Sequence, residues 1–280
     1  MLQSPGAAGG MTARERLAIP RQKMVERDPQ ERVGGFCEVN LGFTEQLAQR
    51  EAERCLQCRN AKCIGGCPVG VDIPRFIDCL ARGDLPAAAA VLLETNALPA
   101  VTGRVCPQEI QCEAVCIRAV KGTPVAIGHL ERYVADWARQ HPDQVHIGKA
   151  PATGRHVAVV GSGPGGLTAA GELVRLGHQV TIFEAFHAPG GVLTYGIPEF
   201  RLPKEIVQQE VDRLTCLGVR IEYNVIVGKT LALPELRGMF DAVFVAVGAG
   251  LPVFMGVPGE NLKGVYSANE YLTRVNLMGA

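Results

Sequence analysis

Seven cysteines constrain this chain more than any other feature. They run Cys55-x2-Cys58-x4-Cys63-x3-Cys67-Pro68, then Cys106-Pro107-x4-Cys112-x3-Cys116, and they account for seven of the ten cysteines in 280 residues. Closely spaced thiolates on a Gly-containing loop let the chain wrap a cubane iron–sulfur cluster while backbone amides face the sulfurs. Structural zinc usually takes two clean C-x2-C-type pairs separated by a longer spacer, whereas here the first four cysteines are crowded together and end in Cys-Pro. The spacing therefore predicts clusters in preference to a zinc pair, with a disulfide framework a distant third. In two-cluster ferredoxins the cysteine before proline binds the other cluster, and the same sharing is expected here. Cys37, Cys79 and Cys216 fall outside the pattern and are expected to be small buried hydrophobes. Seven thiolates leave two four-iron clusters one ligand short, so a non-cysteine ligand or one of these three outliers is required.

Bulk properties narrow the partners. Lys plus Arg equals Asp plus Glu at 28 each, so no net field favours nucleic acid, a membrane surface or an acidic partner. Aromatic content of 5% argues against a base-stacking surface. No stretch approaches the roughly 20 apolar residues of a membrane span, and the N-terminus lacks a basic region followed by an apolar one, so the chain reads as cytoplasmic. With 47% hydrophobic residues it can bury a substantial core, and its length suggests about two domains.

The pattern changes type along the chain. Residues 1–43 are read as an N-terminal arm, with the small-residue leader before Met11 set aside. Residues 44–150 read as a helical domain. Thr44 is a plausible N-cap for a helix running to Leu56 that delivers Cys55 and Cys58, Asp72 with Pro74 and Asp84 with Pro86 open two more, and Pro124 sits in the first turn of a further one. Turn formers in His141–Gly154 mark a boundary. Residues 151–280 then read as α/β. Strand His156–Val160, helix Leu167–Leu176 and strand Gln179–Glu184 form a βαβ unit, and helix Glu205–Leu217 with strands Val219–Tyr223 and Ala242–Val247 follows.

The loop Gly161-Ser162-Gly163-Pro164-Gly165-Gly166 joins the first strand to its helix, which makes it a dinucleotide fingerprint. Gly161 is expected to allow the tight turn, Gly163 to admit a pyrophosphate, and Gly166 to let helix pack on sheet, with the helix N-terminus facing the phosphates. Glu184 ends the second strand, where a carboxylate accepts ribose hydroxyls and repels a 2′-phosphate. The fingerprint serves FAD and NAD alike. His129, His146, His156 and His178 have no paired acid or second ligand, and no catalytic acid, base or nucleophile is assigned.

Residues 20–140 resemble the N-terminal iron–sulfur domain shared by the glutamate synthase (NADPH) small subunit family, including its homotetrameric form, by the large subunit of NADH-dependent reduced ferredoxin:NADP oxidoreductase and by dihydropyrimidine dehydrogenase. The matching words are ERCLQC, CPVGVDIPRFI, GRVCPQEIQCEAVC and PVAIGHLERYVADW. The resemblance implies one [4Fe-4S] cluster on Cys55, Cys58, Cys63 and Cys116 and a second on Cys67, Cys106 and Cys112, with Glu131 of HLERY as the eighth ligand. Gly190-Gly191, GIPEFRLPK and DAVFVAVGAG continue the likeness into the flavin domain. This implies FAD rather than NAD in the fingerprint site, with Val192, Arg201 and, from the iron–sulfur side, Val105 near the flavin.

In those relatives a second, NADPH-binding fingerprint follows a segment like GVPGENLKGVYSANEYL, and the chain then returns to finish the flavin domain. Here the sequence ends at Ala280, just past that segment. The expected architecture is thus an α-helical iron–sulfur domain followed by an incomplete Rossmann-like FAD half-domain, with NADPH bound only through a domain not present here. The expected function is a redox subunit passing electrons between NADPH-reduced FAD and two clusters. Its expected partner is a glutamate synthase large subunit or a ferredoxin-linked flavoprotein subunit, with a separate chain as one source of the NADPH domain. The alternative from another class is a non-enzymatic module: an electron relay without flavin, or a zinc-stabilised assembly domain.

Overall fold

The structure is a computed structural model that describes residues 10–278. The chain divides into two compact units, one of residues up to 31 with 39–147, the other of 32–38 with 148 onward.

The first unit is helical, and its helices begin where the sequence supplies caps. Helix α1 (Ala13–Ala18) starts on a capping box between Thr12 and Glu15. Two short strands, β1 (Val25–Glu26) and β2 (Asn40–Gly42), pair antiparallel around α2 (Pro29–Arg32). Thr44 caps α3 (Glu45–Ala52) by accepting from the Leu47 amide. After α4 (Lys62–Gly66), Asp72 caps α5 (Ile73–Ala81) and Asp84 caps α6 (Leu85–Leu93), each with proline in the first turn. Helix α7 (Pro99–Val105) and α8 (Ile127–Gln140) complete the unit. Phe76, Ile77, Leu80, Leu92, Leu130 and Val134 are buried in one core. Each such side chain stabilises the fold by roughly 2 kcal/mol over an exposed position.

Four details differ from the sequence reading. Helix α3 stops at Ala52, and Cys55 and Cys58 sit on the irregular chain beyond it, where Gln57 adopts a left-handed φ of 50°. Pro124 precedes the N-cap of α8, Ala126, rather than lying in its first turn. The arm holds α1 and the β1–β2 pair, elements too short to show a period. Helix α7 was invisible because Val101, Thr102 and Gly103 are poor helix formers. It survives by packing on α8, where a Cβ on Gly103 would stand 2.6 Å from the Arg132 backbone nitrogen.

The second unit is built on four parallel strands in the order β5-β4-β3-β6. Strand β3 (His156–Val160) leads through α9 (Pro164–Arg175) to β4 (Gln179–Phe183), in register from His156 opposite Gln179 to Val160 opposite Phe183. The short α10 (Val192–Tyr195) and then α11 (Lys204–Cys216) lead to β5 (Val219–Glu222), and α12 (Leu233–Met239) leads to β6 (Ala242–Val245). The last element is α13 (Ala268–Leu277). Strand order reverses at β3: the chain moves from β3 outward to β5, then crosses back to place β6 on the other side. Such a switch point opens a crevice at the carboxyl ends of the strands. Among the described residues no helix is long and apolar enough to cross a membrane.

Candidate functional site

Cys55, Cys58, Cys63 and Cys116 line one cavity of about 240 Å³ in the first unit. Cys55 and Cys58 come from the irregular chain after α3, Cys63 from the first turn of α4, and Cys116 from the residue that opens a 3-10 turn at Ile117. Ile73, Ile77, Val125 and Ile127 form apolar wall. Burial first, then the neighbouring thiols of the same set, push the Cys55 thiol up to about 12 and Cys63 up to about 11. Burial also raises Cys58, with the Cys116 thiol adding to it. Thiolates there need a cation to replace the proton, which is what metal binding supplies.

The other three array cysteines form a separate group. Cys67 ends α4, Cys106 ends α7, and Cys112 is buried in the loop between α7 and α8. Burial first, then the Glu131 carboxylate and the Cys67 thiol, push Cys106 up to about 11. Burial, Glu113, Glu131 and Cys67 push Cys112 up to about 12. Glu131 is thus brought from α8 to the side of these thiols, where its Oε1 accepts from Asn96 Nδ2 at 2.9 Å and from the Thr102 hydroxyl. Gly66 makes the junction possible: a Cβ there would stand 2.5 Å from Val115 and 3.0 Å from the Gln111 carbonyl oxygen.

The donor set suits clusters better than single ions. Zinc would need its sulfurs about 2.3 Å from a common centre, whereas a four-iron cubane takes one thiolate at each iron and spreads them around its volume. Four cysteines lining one cavity of about 240 Å³ fit the second description. Of the outlying cysteines only Cys79 is buried, as expected; Cys37 and Cys216 are exposed, Cys216 because it ends α11 on the solvent side.

Sequence reasoning missed the buried charges beside the first group. Glu51 and Arg54 are wholly buried and paired with each other. Glu51 accepts the Ala126 and Gln22 amides, both at 2.7 Å, while Arg54 donates to the Thr123 and Pro124 carbonyls at 2.9 and 2.8 Å. The signal for Arg54 was a charge set directly against Cys55, with Glu51 three residues before it on the same turn. Of the histidines, His129 is driven down to about 4 by burial and the charges of Arg21 and Arg132, and it meets Phe43 edge-on.

In the second unit a cavity of about 550 Å³ opens at the carboxyl ends of the strands, lined by Gly161, Ser162, Gly163, Pro164, Gly165, Glu184, Gly191 and Val192. The fingerprint glycines do different jobs. Gly161 has φ of 100° and no room for a Cβ, which would meet the Ala246 carbonyl oxygen at 2.5 Å. A Cβ on Gly166 would stand 2.0 Å from the Gly161 oxygen, so this glycine seats α9 on β3. Gly163 faces open space and caps α9 without a side-chain partner, leaving the first amides of the helix for a ligand. Gly190 and Gly191, with φ of 107° and 53°, fold back on this loop: the Gly190 amide donates to Ser162, and a Cβ on Gly191 would lie 2.7 Å from Gly163 Cα.

Glu184 lines the cavity but is engaged by the protein. Its Oε2 accepts the Ser162 amide at 2.8 Å and the Ser162 hydroxyl, and its Oε1 accepts the Phe186 amide at 2.9 Å. The carboxylate therefore ties the fingerprint loop to β4 as well as facing the site. Arg201 is exposed, and neither it nor Val105 lines either cavity. Tyr195, Asn269 and residues 246–249 also line the second cavity without having been anticipated; Tyr195 ends the short helix that Val192 opens, while the others arrive from elements distant in sequence.

Residues 32–143 match the family described as dihydropyrimidine dehydrogenase domain II, 4Fe-4S cluster, and residues 155–278 match pyridine nucleotide-disulphide oxidoreductase. The glutamate synthase [NADPH] small chain of Bacillus subtilis is 38% identical over 267 residues, covering 92% of this chain and 54% of its own length. The chain is similar to glutamate synthase small chains and to PreT subunits. A second relative, the NAD-dependent dihydropyrimidine dehydrogenase subunit PreT of Salmonella typhimurium, is 40% identical over 241 residues, 85% of this chain and 57% of PreT. Among solved structures, Mycobacterium tuberculosis FprA in complex with NADPH is 27% identical with a TM-score of 0.40, over 45% of this chain and 29% of FprA. The chain spans about half the length of the relatives it matches.

Proposed function

We propose that the chain is the iron–sulfur and flavin part of an oxidoreductase of glutamate synthase small subunit type. In this reading one [4Fe-4S] cluster sits on Cys55, Cys58, Cys63 and Cys116, and a second on Cys67, Cys106, Cys112 and Glu131. FAD occupies the cavity of the 161–166 loop. The observation that carries it is the division of the seven array cysteines into a four-thiol cavity and a three-thiol group beside a carboxylate, which gives each of two cubanes four donors.

Bound FAD would exchange electron pairs with a nicotinamide and single electrons with the clusters. The protein's own residues supply the binding. The open face of Gly163 and the N-terminal amides of α9 take the pyrophosphate, Gly161 and Gly166 keep the loop against the sheet, and Glu184 sets the loop's position. A carboxylate there disfavours a 2′-phosphate, so NADPH is expected to bind through a further domain, carried by the remainder of a longer polypeptide or by a second chain. The expected acceptor is a glutamate synthase large subunit. The likeness to PreT supports a second reading, in which the partner is a dihydropyrimidine dehydrogenase subunit.

Anaerobic purification with metal and flavin analysis tests the proposal. About eight irons and one FAD per chain are expected, four irons per cubane. Zinc in place of iron would overturn it, and iron without flavin would reduce the chain to an electron relay.

A further inference from the structure

Arg118 follows Cys116 by two residues and is 8% exposed. It lines the same cavity as Cys55, Cys58, Cys63 and Cys116. Its guanidinium donates to four backbone carbonyls: Arg16 at 2.6 Å, Arg54 at 3.1 Å, Leu17 at 3.2 Å and Ile19 at 3.1 Å. None of these acceptors carries a full charge. The Glu51 carboxylate, the buried anion nearby, is paired with Arg54. Arg16, 6% exposed, donates to the carbonyls of Glu53 and Cys55, both at 3.0 Å. Two buried arginines, Arg54 and Arg118, thus share one buried carboxylate beside the four thiols.

Burying a cation against neutral carbonyls costs free energy that a fold avoids unless an anion shares the space. A four-thiolate cubane is such an anion, and it gains one further negative charge on reduction. A fixed positive charge in a low-dielectric wall stabilises the more negative, reduced form and raises the potential.

We infer that Arg118 is a positioning residue for the Cys55–Cys58–Cys63–Cys116 cluster, whose positive charge sets that cluster's reduction potential while its four hydrogen bonds fasten residues 16–19 beside the Cys55 segment. The inference rests on the cluster reading above. No electron or proton passes through Arg118; it biases the one-electron reduction of its neighbour.

The test compares Arg118→Gln with Arg118→Lys in the purified chain by redox titration followed by electron paramagnetic resonance. The two cluster signals are assigned beforehand with Cys58→Ser. Arg118→Gln removes the charge and most of the hydrogen bonds; Arg118→Lys removes the planar fork but keeps the charge. The expected result is a lower midpoint for the four-thiol cluster in Arg118→Gln, a midpoint close to the parent in Arg118→Lys, and an unmoved second cluster in both. Loss of the first cluster from Arg118→Gln alone supports the inference equally, since the two variants differ in charge. Loss from both variants, an unshifted midpoint in Arg118→Gln, or an equal shift of both clusters overturns it. A parent chain that binds no iron would instead overturn the cluster reading beneath it.

Discussion

The side-chain amide of Asn96 donates to the Glu131 carboxylate at 2.9 Å, tying the segment after α6 to the middle of α8. The Thr102 hydroxyl donates to the same oxygen, and Asn96 accepts the Leu98 amide at 3.0 Å at the start of α7. The two hydrogen bonds therefore hold the carboxylate at a point where its charge reaches Cys106 and Cys112. Glu131→Ala is expected to remove the second cluster and leave the first, lowering iron content by about half. Glu131→Gln, which retains a side-chain oxygen, should hold more iron than the alanine variant. Unchanged resonance spectra and iron content in Glu131→Ala would sink the assignment.

Gly103 lets α7 touch α8. Because an added Cβ would stand 2.6 Å from backbone rather than from a yielding side chain, Gly103→Ala must separate the two helices. A loss of about 1–3 kcal/mol is expected, read as a lower denaturation midpoint together with weaker iron retention at Cys106.

The fingerprint glycines should separate binding from folding. Gly163→Ala adds a methyl to open space, so the chain should keep its thermal stability while losing FAD. Gly166→Ala drives a methyl to within 2.0 Å of the Gly161 oxygen and should destabilise the second unit itself. Flavin content measured beside a circular-dichroism melt distinguishes the two; equal melting losses would contradict the division of roles.

Metal-free chain should weaken at alkaline pH. The ordinary thiol value is 9.0, whereas burial holds Cys63 and Cys106 near 11 and Cys55 and Cys112 near 12. Above pH 9 the unfolded chain releases protons that the folded chain retains, so stability present below pH 9 is lost as pH rises toward 12. Denaturation of iron-free protein under reductant at about pH 8 and about pH 10.5 should show this loss. Iron-loaded protein, whose thiolates carry no proton, should not show that part of it.

His129 gives the opposite window. Its value falls from 6.5 to about 4, so the unfolded state takes up the proton first and stability drops as pH falls through that range. Replacement by glutamine, which does not titrate, should flatten the acid side of the stability profile measured by denaturant titration.

What could be read in the sequence was local. Thr44, Asp72 and Asp84 cap helices because each side chain bonds an amide three residues ahead, and the β3–α9–β4 unit follows from apolar period and a glycine loop. The spacing of the seven cysteines and the separate tasks of Gly161, Gly163 and Gly166 belong to the same class, since neighbours along the chain determine them. The tertiary structure decided the rest. It stopped α3 short of Cys55, kept α7 helical against its propensity by burying it on α8, and drew Glu184 into the fingerprint loop through Ser162. It also set Arg118 beside the four thiols, 102 residues from the Arg16 carbonyl to which it bonds. Such contacts join residues that no periodicity relates. They depend on where a buried charge finds partners once the chain has closed, and a sequence carries no local signal of that.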